Sequence, residues 1–496
     1  MAITVKRSPV KLNPDHTKVI PRFFNTGNER SLVLINRVLQ MTEEIAEKLV
    51  NDVNKEFSSR YKNIQTIFLK HFSLIRYLLT DNDINALSET KKLLIGAYFT
   101  MEYSIEAAAL FNPSIIEAPD QSDAADGQKK IVVSLRATGE SHISSIVFKQ
   151  GTLDKNGTIY FEPSGKFIRE GIVLQKEKDN KASFENVLAQ MNLPEDIRLN
   201  IINQLSDSFS YKEIETAVKN ALPTIEDDAK KKRLKHEILI AVNTSYELQF
   251  PTDSLLSERV IFPVTRIEKN GIEDARFVKF SEDDGTFTYI ATYTAYDGSV
   301  ISPQLIITTD FLHFKIAPLH GKAAINKNLA LFPRKINEQY VMLSRIDNIN
   351  NYIMFSDDLF IWEEAILLQQ PKYPWEFVQI GNAGSPIETE LGWLVITHGV
   401  GAMRKYCLGA SLFDINNPTI ELGRLQEPLL VPNEDERDGY VPNVVYSCGS
   451  ILHGGDLFIP YAVSDYASSF ASVPLADLLD EIMQSKTVLS SHDLMV

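Results

Sequence analysis

The 496-residue chain has few cysteines and lacks any long apolar run. Its two cysteines, Cys407 and Cys448, lie outside any Cys-x-x-Cys or Cys/His cluster. This excludes a disulfide framework and argues against a zinc site, so no metal site is predicted. No stretch approaches the roughly 18 apolar residues of a membrane-spanning helix. The first residues have no apolar core of the signal-peptide kind, and we therefore expect a cytoplasmic protein.

The chain also has fewer positively charged than negatively charged residues. Fifty Lys and Arg residues stand against 65 Asp and Glu residues, which gives a formal net charge of −15. This balance argues against a nucleic acid or an anionic membrane as the main partner, but it allows a local basic pocket for a small anion. The hydrophobic content of 44% is typical of a globular protein. The length predicts about two to four domains, unless one large β architecture takes most of the chain.

Helical periodicity occurs in two blocks. The first begins at about Glu29, and its last helix is predicted to run from Ser88 to Leu110. The second occupies residues 183–245 and contains a capping box from Ser210 to Glu213. Because this second block interrupts two β-rich regions, we interpret it as an insertion that packs on the N-terminal helices.

The rest of the chain is β-rich, and its apolar runs recur at intervals of about 50 residues. The five runs are Ile131–Arg136, Phe287–Thr294, Tyr340–Arg345, Trp393–His398 and Leu457–Tyr461. Repeats of this size with several short strands each are typical of propeller blades around a channel. The predicted fold class is therefore mainly β, a five-bladed β-propeller with an appended α-helical region.

These patterns predict a division of the chain into five parts. Residues 1–110 form an extended and helical N-terminal region, and residues 111–182 the first part of the propeller. Residues 183–245 are the helical insertion, residues 246–480 complete the propeller, and residues 481–496 form a C-terminal tail.

A charged or polar residue follows the strand-like run in four of the five units. These residues are Arg136, Asp297, Arg345 and His398. In a propeller the matching strand ends converge at one mouth of the channel, so the four side chains are predicted to share a pocket. The alternative is that they are unrelated charges at strand ends.

The segment Gly271–Arg276 places two carboxylates and a guanidinium close together, just after an Asn-Gly turn. An acid beside a fixed cation suits protonation of a leaving group near an anion. The alternative interpretation is a surface cluster of ion pairs, which is common and usually inert.

Several motifs in the right order resemble glycoside hydrolase family 130, which contains β-mannoside phosphorylases and some β-mannosidases on a five-bladed β-propeller. The resemblance covers roughly residues 112–151 and 258–465, and it leaves out both helical blocks. The motifs are Glu273–Arg276, Leu331–Ile336, Tyr340–Arg345, Gly384–Trp393, His398–Val400 and Val441–Tyr446.

The resemblance implies a role for individual residues. Asp274 falls on the general acid of the family's Glu-Asp-Pro-Arg motif, although Ala275 replaces the usual proline. Lys327 matches a lysine that helps to hold phosphate in the phosphorylases. The predicted substrate- or phosphate-binding residues are Asn112, Arg136, Arg276, Asp297, Lys327, Arg345 and His398.

Two segments depart from the family's commoner pattern. Gly439-Tyr440 stands where phosphorylases often have Gly-Asp, and the segment from Arg136 to His142 also differs. Neither departure touches Asp274.

The first hypothesis is an inverting β-mannoside phosphorylase, with inorganic phosphate as co-substrate, an oligosaccharide as substrate and no cofactor. The second is a β-mannosidase that uses water, which requires a carboxylate base. Glu388, Glu434 and Glu436 are the candidates for that base. The third is a catalytically silent glycan-binding propeller, against which the Asp274/Arg276 pair argues. The protein is also a possible homo-oligomer.

Overall fold

The described strands form five sheets of four to six strands, almost entirely antiparallel, and two two-stranded sheets, which confirms the mainly β class. The computed structural model describes residues 3–174, 193–222 and 245–492, together with 179–181, 184, 185, 188, 231, 234, 235 and 238. We number the sheets 1 to 5 by the order of their first strands along the β-rich region. Among the strand pairs of the described residues, the one parallel pair joins Arg259–Ile261 to Arg169–Glu170 at the edge of sheet 1.

The strands of each sheet follow, beginning with its first strand. Sheet 1 contains Ala109–Glu117, Lys129–Thr138, Ser144–Leu153, Arg259–Ile261 and Arg169–Glu170, with Ile159–Phe161 on its third strand. Sheet 2 contains Ile272–Ser281, Phe287–Tyr296, Ile301–Thr308, His313–Pro318, Tyr246–Gln249 and Ile172–Leu174. Sheet 3 contains Ala330–Leu331, Tyr340–Ser344, Asn351–Ser356 and Ile366–Gln369. Sheet 4 contains Gln379–Asn382, Gly392–Val400, Tyr406–Phe413 and Glu421–Arg424, with Ile387–Thr389 on its second strand. Sheet 5 contains Val445–Tyr446, Asp456–Val463, Ala467–Pro474 and Lys6–Leu12, with Ile451–His453 on its second strand.

The five predicted apolar runs all lie in strands, one in each sheet, and each is the second strand of its sheet. These strands are apolar nearly throughout because both of their faces are buried. In sheet 1, Val132 faces the core shared with sheet 2. Its neighbours Ile131 and Val133 face the core shared with sheet 5. Successive side chains of a strand point to opposite faces, so a strand between two cores needs apolar residues at both.

A separate apolar core lies between each sheet and the next. Such cores join sheets 1 and 2, sheets 2 and 3, sheets 3 and 4, and sheets 4 and 5. A fifth core joins sheet 5 to sheet 1 through Phe458, Phe470 and Leu135. The first strand of every sheet contacts the preceding sheet, and the first strand of sheet 1 contacts sheet 5.

Sheet 5 contains segments from both ends of the chain. The strand Lys6–Leu12 pairs with Ala467–Pro474, with Arg7 opposite Ala471. Arg7 donates to both carboxylate oxygens of Glu436, at 2.9 and 3.0 Å, and to the carbonyl of Val431. Glu436 also accepts a hydrogen bond from Tyr461. Burial alone would raise the pKa of Glu436, but these hydrogen bonds offset it and leave the pKa below the ordinary value.

Replacing Arg7 by Ala is expected to lower the free energy of unfolding by about 1–3 kcal/mol at pH 7, because a buried carboxylate loses its charged partner. A carboxylate with a lowered folded-state pKa contributes stability above its unfolded pKa and loses it as the pH falls. The difference between Arg7→Ala and the wild type should therefore shrink below about pH 4.5. Urea unfolding at pH 7 and pH 4 measures both, and an equal difference at the two values would contradict the ion-pair origin.

The helices fall into the two predicted blocks and the C-terminus. Their bounds are Asn28–Leu39, Glu43–Phe57, Ile64–Ile75, Asp81–Ala86, Glu89–Tyr98, Glu195–Asn203, Tyr211–Ala221 and Leu475–His492. No helix in the described part of the chain is long and apolar enough to cross a membrane.

The predicted helix from Ser88 to Leu110 is wrong beyond Tyr98. Its last part is instead the strand Thr100–Ser104, which pairs with Val19–Phe23. The helical prediction failed here because the available strand partner overrides a weak local preference. The helix itself packs closely on Ile64–Ile75, since a Cβ at Gly96 would lie 1.9 Å from the carbonyl oxygen of Phe68.

The helical insertion has an apolar core of its own in the described residues, which includes Ile201, Ile214 and Ile238. The N-terminal helices form a separate cluster. The capping box at Ser210 is confirmed, with Ser210 and Glu213 bonded reciprocally. Packing of the insertion on the N-terminal helices stays a prediction, as does the division into five parts, and much of the segment at 223–244 lies outside the described residues.

Candidate active site

Two matching β-bulges carry the residues at the centre of the site. In the first strand of sheet 1 the pairing shifts between Phe111 and Ser114, and in sheet 2 it shifts between Glu273 and Arg276. The extra residues, Asn112 and Asp274, have positive φ angles of 48° and 57°. Such left-handed residues are uncommon outside glycine and are best tolerated by Asn and Asp. The bulges redirect both side chains, which then meet.

Asp274 lies in a network of alternating charges. Its Oδ1 accepts a hydrogen bond from Asn112 Nδ2 at 2.7 Å, and Arg136 Nη1 lies at 3.4 Å. Arg136 also donates to Glu273 at 2.6 Å, and Lys327 binds the other oxygen of Glu273 at 2.5 Å. Two cations, Arg136 and Lys327, are therefore balanced by two carboxylates.

These neighbours determine the protonation of the acid. Burial by itself would raise the pKa of Asp274, but the cations Arg136 and Lys327 and the hydrogen bond from Asn112 offset it, so the pKa lies below its ordinary value. Burial raises the pKa of Asp465 to about 7, and the Asp274 carboxylate adds to the rise. The two carboxyl groups therefore interact, and Asp465 is the one that takes up a proton as the pH falls toward neutrality.

A second cluster contains two buried guanidiniums without a carboxylate. Arg276 is 2% exposed and donates to Asn382 Oδ1 at 3.1 Å and to Tyr446 Oη at 2.6 Å. Arg345 is 8% exposed, and its Nη1 lies 3.3 Å from His398 Nε2. Among the residues that the structure describes, no carboxylate lies within 4 Å of either guanidinium, whereas Arg136 and Lys327 both have one.

His398 is the neutral partner of this cluster. Burial lowers the pKa of His398 well below its ordinary value, and the cations Arg345 and Arg276 lower it further. Its Nδ1 lies 2.9 Å from the carbonyl oxygen of Asn382 and so donates to it, which leaves Nε2 to accept from Arg345. The Nε of Arg345 is buried and has no hydrogen-bond partner in the part of the chain that the structure describes. A buried cation with an unused donor favours an anionic ligand.

The structure brings six of the seven predicted binding residues into these two clusters around Asp274. The exception is Asp297, whose Oδ1 accepts from Ser299 and Val300 within the turn that follows the second strand of sheet 2. Asp297 therefore stabilises a turn. Lys327 lies on Glu273 and not with Arg276 and Arg345, so the cation group expected around phosphate is divided in two.

The three glutamates predicted as candidate bases are held elsewhere. Glu388 binds Arg334 through both oxygens, each at 2.8 Å, and Glu436 binds Arg7. Glu434 is exposed in the short turn Glu434–Glu436. Within the described residues, none of the three has a hydrogen bond or ion pair to a predicted site residue.

Sequence reasoning missed Asp465, and a signal for it existed. In four units we took the polar residue that follows the second strand, but in the fifth unit that strand, Asp456–Val463, is followed by Ser464 and Asp465. The amides Asn328 and Asn382 were also missed. Each donates to the carbonyl of the other, at 2.7 and 2.6 Å, and so ties sheet 3 to sheet 4 beneath Arg276. No local pattern marks such a pair.

The two segments that depart from the family's commoner pattern meet in the structure. Tyr440 Oη lies 3.2 Å from His142 Nδ1, and their ring centroids are 5.7 Å apart.

A cavity of about 350 Å³ lies at the other end of the same strands, near Ser281. Residues of sheets 1, 2, 4 and 5 line it, together with Pro333 and Arg334 of the loop after the first strand of sheet 3. Its charged residues are paired, Lys279 with Glu117 and Arg334 with Glu388. Arg276 and Arg345, which have no carboxylate within 4 Å among the described residues, thus lie at the Asp274 end of these strands.

The chain is similar to known proteins over about half of its length. Residues 232–484 match the family model Glyco_hydro_130, described as beta-1,4-mannooligosaccharide phosphorylase. The chain is 31% identical over 231 residues to the beta-1,2-mannobiose phosphorylase of Listeria innocua, a match that covers 45% of this chain and 63% of that protein. It is 33% identical over 229 residues to a 1,2-beta-oligomannan phosphorylase of a Thermoanaerobacter species, covering 45% and 75%.

The matched segment thus spans less than two thirds of the Listeria protein. The solved structure of the beta-1,2-mannobiose phosphorylase from Listeria innocua, in complex with beta-1,2-mannobiose, aligns with a TM-score of 0.44 at 22% identity. That alignment covers 77% of this chain and 93% of the other.

Proposed function

The chain belongs to glycoside hydrolase family 130, and on this basis we propose that it cleaves β-mannosides by phosphorolysis, with inversion, to release mannose 1-phosphate. The relatives described above are named for β-1,2- and β-1,4-linked mannosides. Both linkages are therefore candidates for the substrate of this protein.

The proposal includes a five-bladed β-propeller, with each of the five sheets as one blade. The cyclic order of contacts supports it, because each sheet shares an apolar core with the next and sheet 5 shares one with sheet 1. The pairing of Lys6–Leu12 with the third strand of sheet 5 would close the ring between the two ends of the chain.

The observation that carries the proposed reaction is the pair of buried guanidiniums, Arg276 and Arg345, without a carboxylate partner. Two buried like charges repel each other and cost stability, and a bound anion removes that cost. Phosphate suits the pair because its oxygens accept several charge-assisted hydrogen bonds at once. The orphan Nε of Arg345 adds one more donor to those available.

In the proposed reaction a phosphate oxygen held by Arg276 and Arg345 attacks the anomeric carbon of the mannosyl group. The bond from that carbon to the glycosidic oxygen breaks, and the oxygen takes a proton from the carboxyl group of Asp274. The products are α-mannose 1-phosphate and the shortened sugar. No carboxylate base is needed, because the nucleophile is already an anion.

Phosphate binding would also favour the protonated form of Asp274, the proposed general acid. Asp274 has a lowered pKa, because Arg136 and Lys327 offset the effect of burial. A phosphate anion beside it raises the pKa of Asp274, since a nearby like charge disfavours ionisation. That rise favours the protonated form of Asp274, which the reaction requires, when the nucleophile is in place.

The test is to incubate the protein with β-1,2- and β-1,4-mannobiose, with and without phosphate. Cleavage is expected only with phosphate, giving mannose and α-mannose 1-phosphate in equal amounts, as measured by phosphorus and proton NMR. Equal rates without phosphate, with free mannose as the only product, would contradict the proposal and favour hydrolysis.

A further inference from the structure

Two exposed aromatic side chains, His142 and Tyr440, contact each other beside the segments that carry Arg136 and Asp465. Tyr440 is 54% exposed. The two rings are inclined by 37°, and a hydrogen bond of 3.2 Å joins Tyr440 Oη and His142 Nδ1 across 298 residues. We infer that this pair is a platform on which the leaving-group sugar of the substrate packs. The inference rests on the proposed function for the identity of that sugar.

The pair lies between the two elements that carry the neighbours of Asp274. His142 is in the hairpin between the second and third strands of sheet 1, two residues before Ser144. Ser144 accepts a hydrogen bond from Arg136, which binds Asp274. Tyr440 precedes Val441, whose N–H donates to the carbonyl of Ser464, next to Asp465. The platform thus joins the Arg136 side of the site to the Asp465 side.

The backbone holds both rings in place. Ser141 and His142 have consecutive positive φ angles of 55° and 60°, a conformation that costs energy for residues other than glycine. On the other side, a Cβ at Gly439 would lie 2.5 Å from the carbonyl oxygen of Ser464, so glycine is needed for this close approach. Rings fixed in this way lose little freedom when a ligand binds.

The difference in exposure between the buried guanidiniums and the two rings indicates which sugar of the substrate contacts the platform. The attacking anion belongs with Arg276 and Arg345, which are nearly inaccessible, and the transferred mannosyl group must touch that anion. The leaving sugar lies on the other side of the glycosidic oxygen, which Asp274 protonates. It therefore extends from Asp274 toward the solvent, where the exposed rings are. A pyranose has an apolar C–H face that packs on an aromatic ring.

The experiment runs the reaction in reverse, with α-mannose 1-phosphate as donor and mannose as acceptor. Tyr440→Ala is expected to raise the acceptor KM about tenfold, because roughly 50 Å² of apolar surface is no longer covered. The KM for mannose 1-phosphate should stay within about twofold of the wild type, because the donor binds at the buried end. His142→Ala should act in the same direction. Equal rises in both KM values, or no change in the acceptor KM, would overturn the inference.

Two further variants test whether the rise in the acceptor KM comes from the loss of the ring of Tyr440. Tyr440→Phe keeps the ring and loses the hydrogen bond to His142, so it should keep the wild-type acceptor KM. Tyr160→Ala removes a tyrosine that is 59% exposed on the strand Ile159–Phe161 of sheet 1, and it should change neither KM. A tenfold loss in Tyr440→Phe would show that the hydrogen bond, and not the ring face, matters, which would overturn a stacking platform.

A binding measurement tests the platform independently of whether phosphate or water is the nucleophile. In an Asp274→Asn background, calorimetry compares β-mannobiose with and without the additional change Tyr440→Ala. Weaker binding of the disaccharide in the double variant, by about tenfold, supports the platform whether phosphate or water is the nucleophile. Unchanged binding, or no binding of β-mannobiose by Asp274→Asn, overturns it. Absence of phosphate dependence in the wild type overturns the proposed function alone.

Discussion

Asp274→Asn is expected to lower kcat on unactivated β-mannobiose by about 10²–10⁴-fold, the usual effect of losing a general acid. The amide keeps an oxygen for Asn112 and Arg136 but has no proton to give. The fold should be unchanged, because Asn tolerates the positive φ of this position as well as Asp does. Kinetics on β-mannobiose with saturating phosphate measure the loss, and circular dichroism checks the fold.

The leaving group provides an internal control for this result. A nitrophenyl β-mannoside has a leaving oxygen that departs without protonation, so Asp274→Asn should lose much less activity on it. Asp297→Asn is the matched control, because Asp297 accepts hydrogen bonds within a turn that an amide oxygen can also accept. Near-wild-type turnover of β-mannobiose by Asp274→Asn would refute the acid assignment.

Arg345→Gln is expected to raise the phosphate KM by about 10–150-fold, because one charge-assisted contact is worth about 1.5–3 kcal/mol. The glutamine amide can still donate to His398, so the pocket keeps that contact. The binding of the sugar should change little. Initial rates over a range of phosphate concentrations, at saturating β-mannobiose, measure the effect.

Stability gives an independent measurement of the same site. Phosphate at about 100 times its Kd should stabilise the wild type by about 2.7 kcal/mol, and Arg345→Gln should lose most of this gain. Without phosphate the variant should be at least as stable as the wild type, since it no longer holds two buried cations together. A variant that is less stable and has an unchanged phosphate KM would assign Arg345 a structural role only.

Two other substitutions sharpen the comparison. Arg334→Gln alters an arginine at the far end of the strands, where Glu388 neutralises it, and should leave the phosphate KM unchanged.

Lys327→Ala tests the role that the family resemblance implies for Lys327. Because Lys327 binds Glu273, we expect its loss to alter the environment of Asp274 more than the phosphate KM. A larger rise in the phosphate KM for Lys327→Ala than for Arg345→Gln would reverse this assignment.

The sequence alone predicted those strands and helix ends for which the local order of apolar and polar residues is sufficient. The run Ile131–Arg136 is apolar at nearly every position, which is required of a strand buried on both faces. The capping box at Ser210 depends on atoms three residues apart, so its local pattern was sufficient. The segment after Tyr98 failed for the opposite reason, since its strand forms only because Val19–Phe23 is available as a partner.

The residue types of the site were also readable from the sequence, because an acid beside an arginine at Asp274 and Arg276 is a local feature. What the sequence could not determine is which charges neutralise each other. Lys327 and Arg345 look equivalent as cations, but Lys327 lies 2.5 Å from Glu273 whereas Arg345 has no carboxylate within 4 Å in the described part of the chain.

That difference depends on distances between side chains brought together by strands far apart in the chain, such as Asn112 and Asp274, which are 162 residues apart and meet at 2.7 Å. Two matching bulges turn these side chains toward each other, and the packing of the sheets sets the depth at which Arg276 and Arg345 lose contact with water. Because the energy of a charge depends on its burial and on the distance to its partner, the tertiary structure decided which cations remain for an anion.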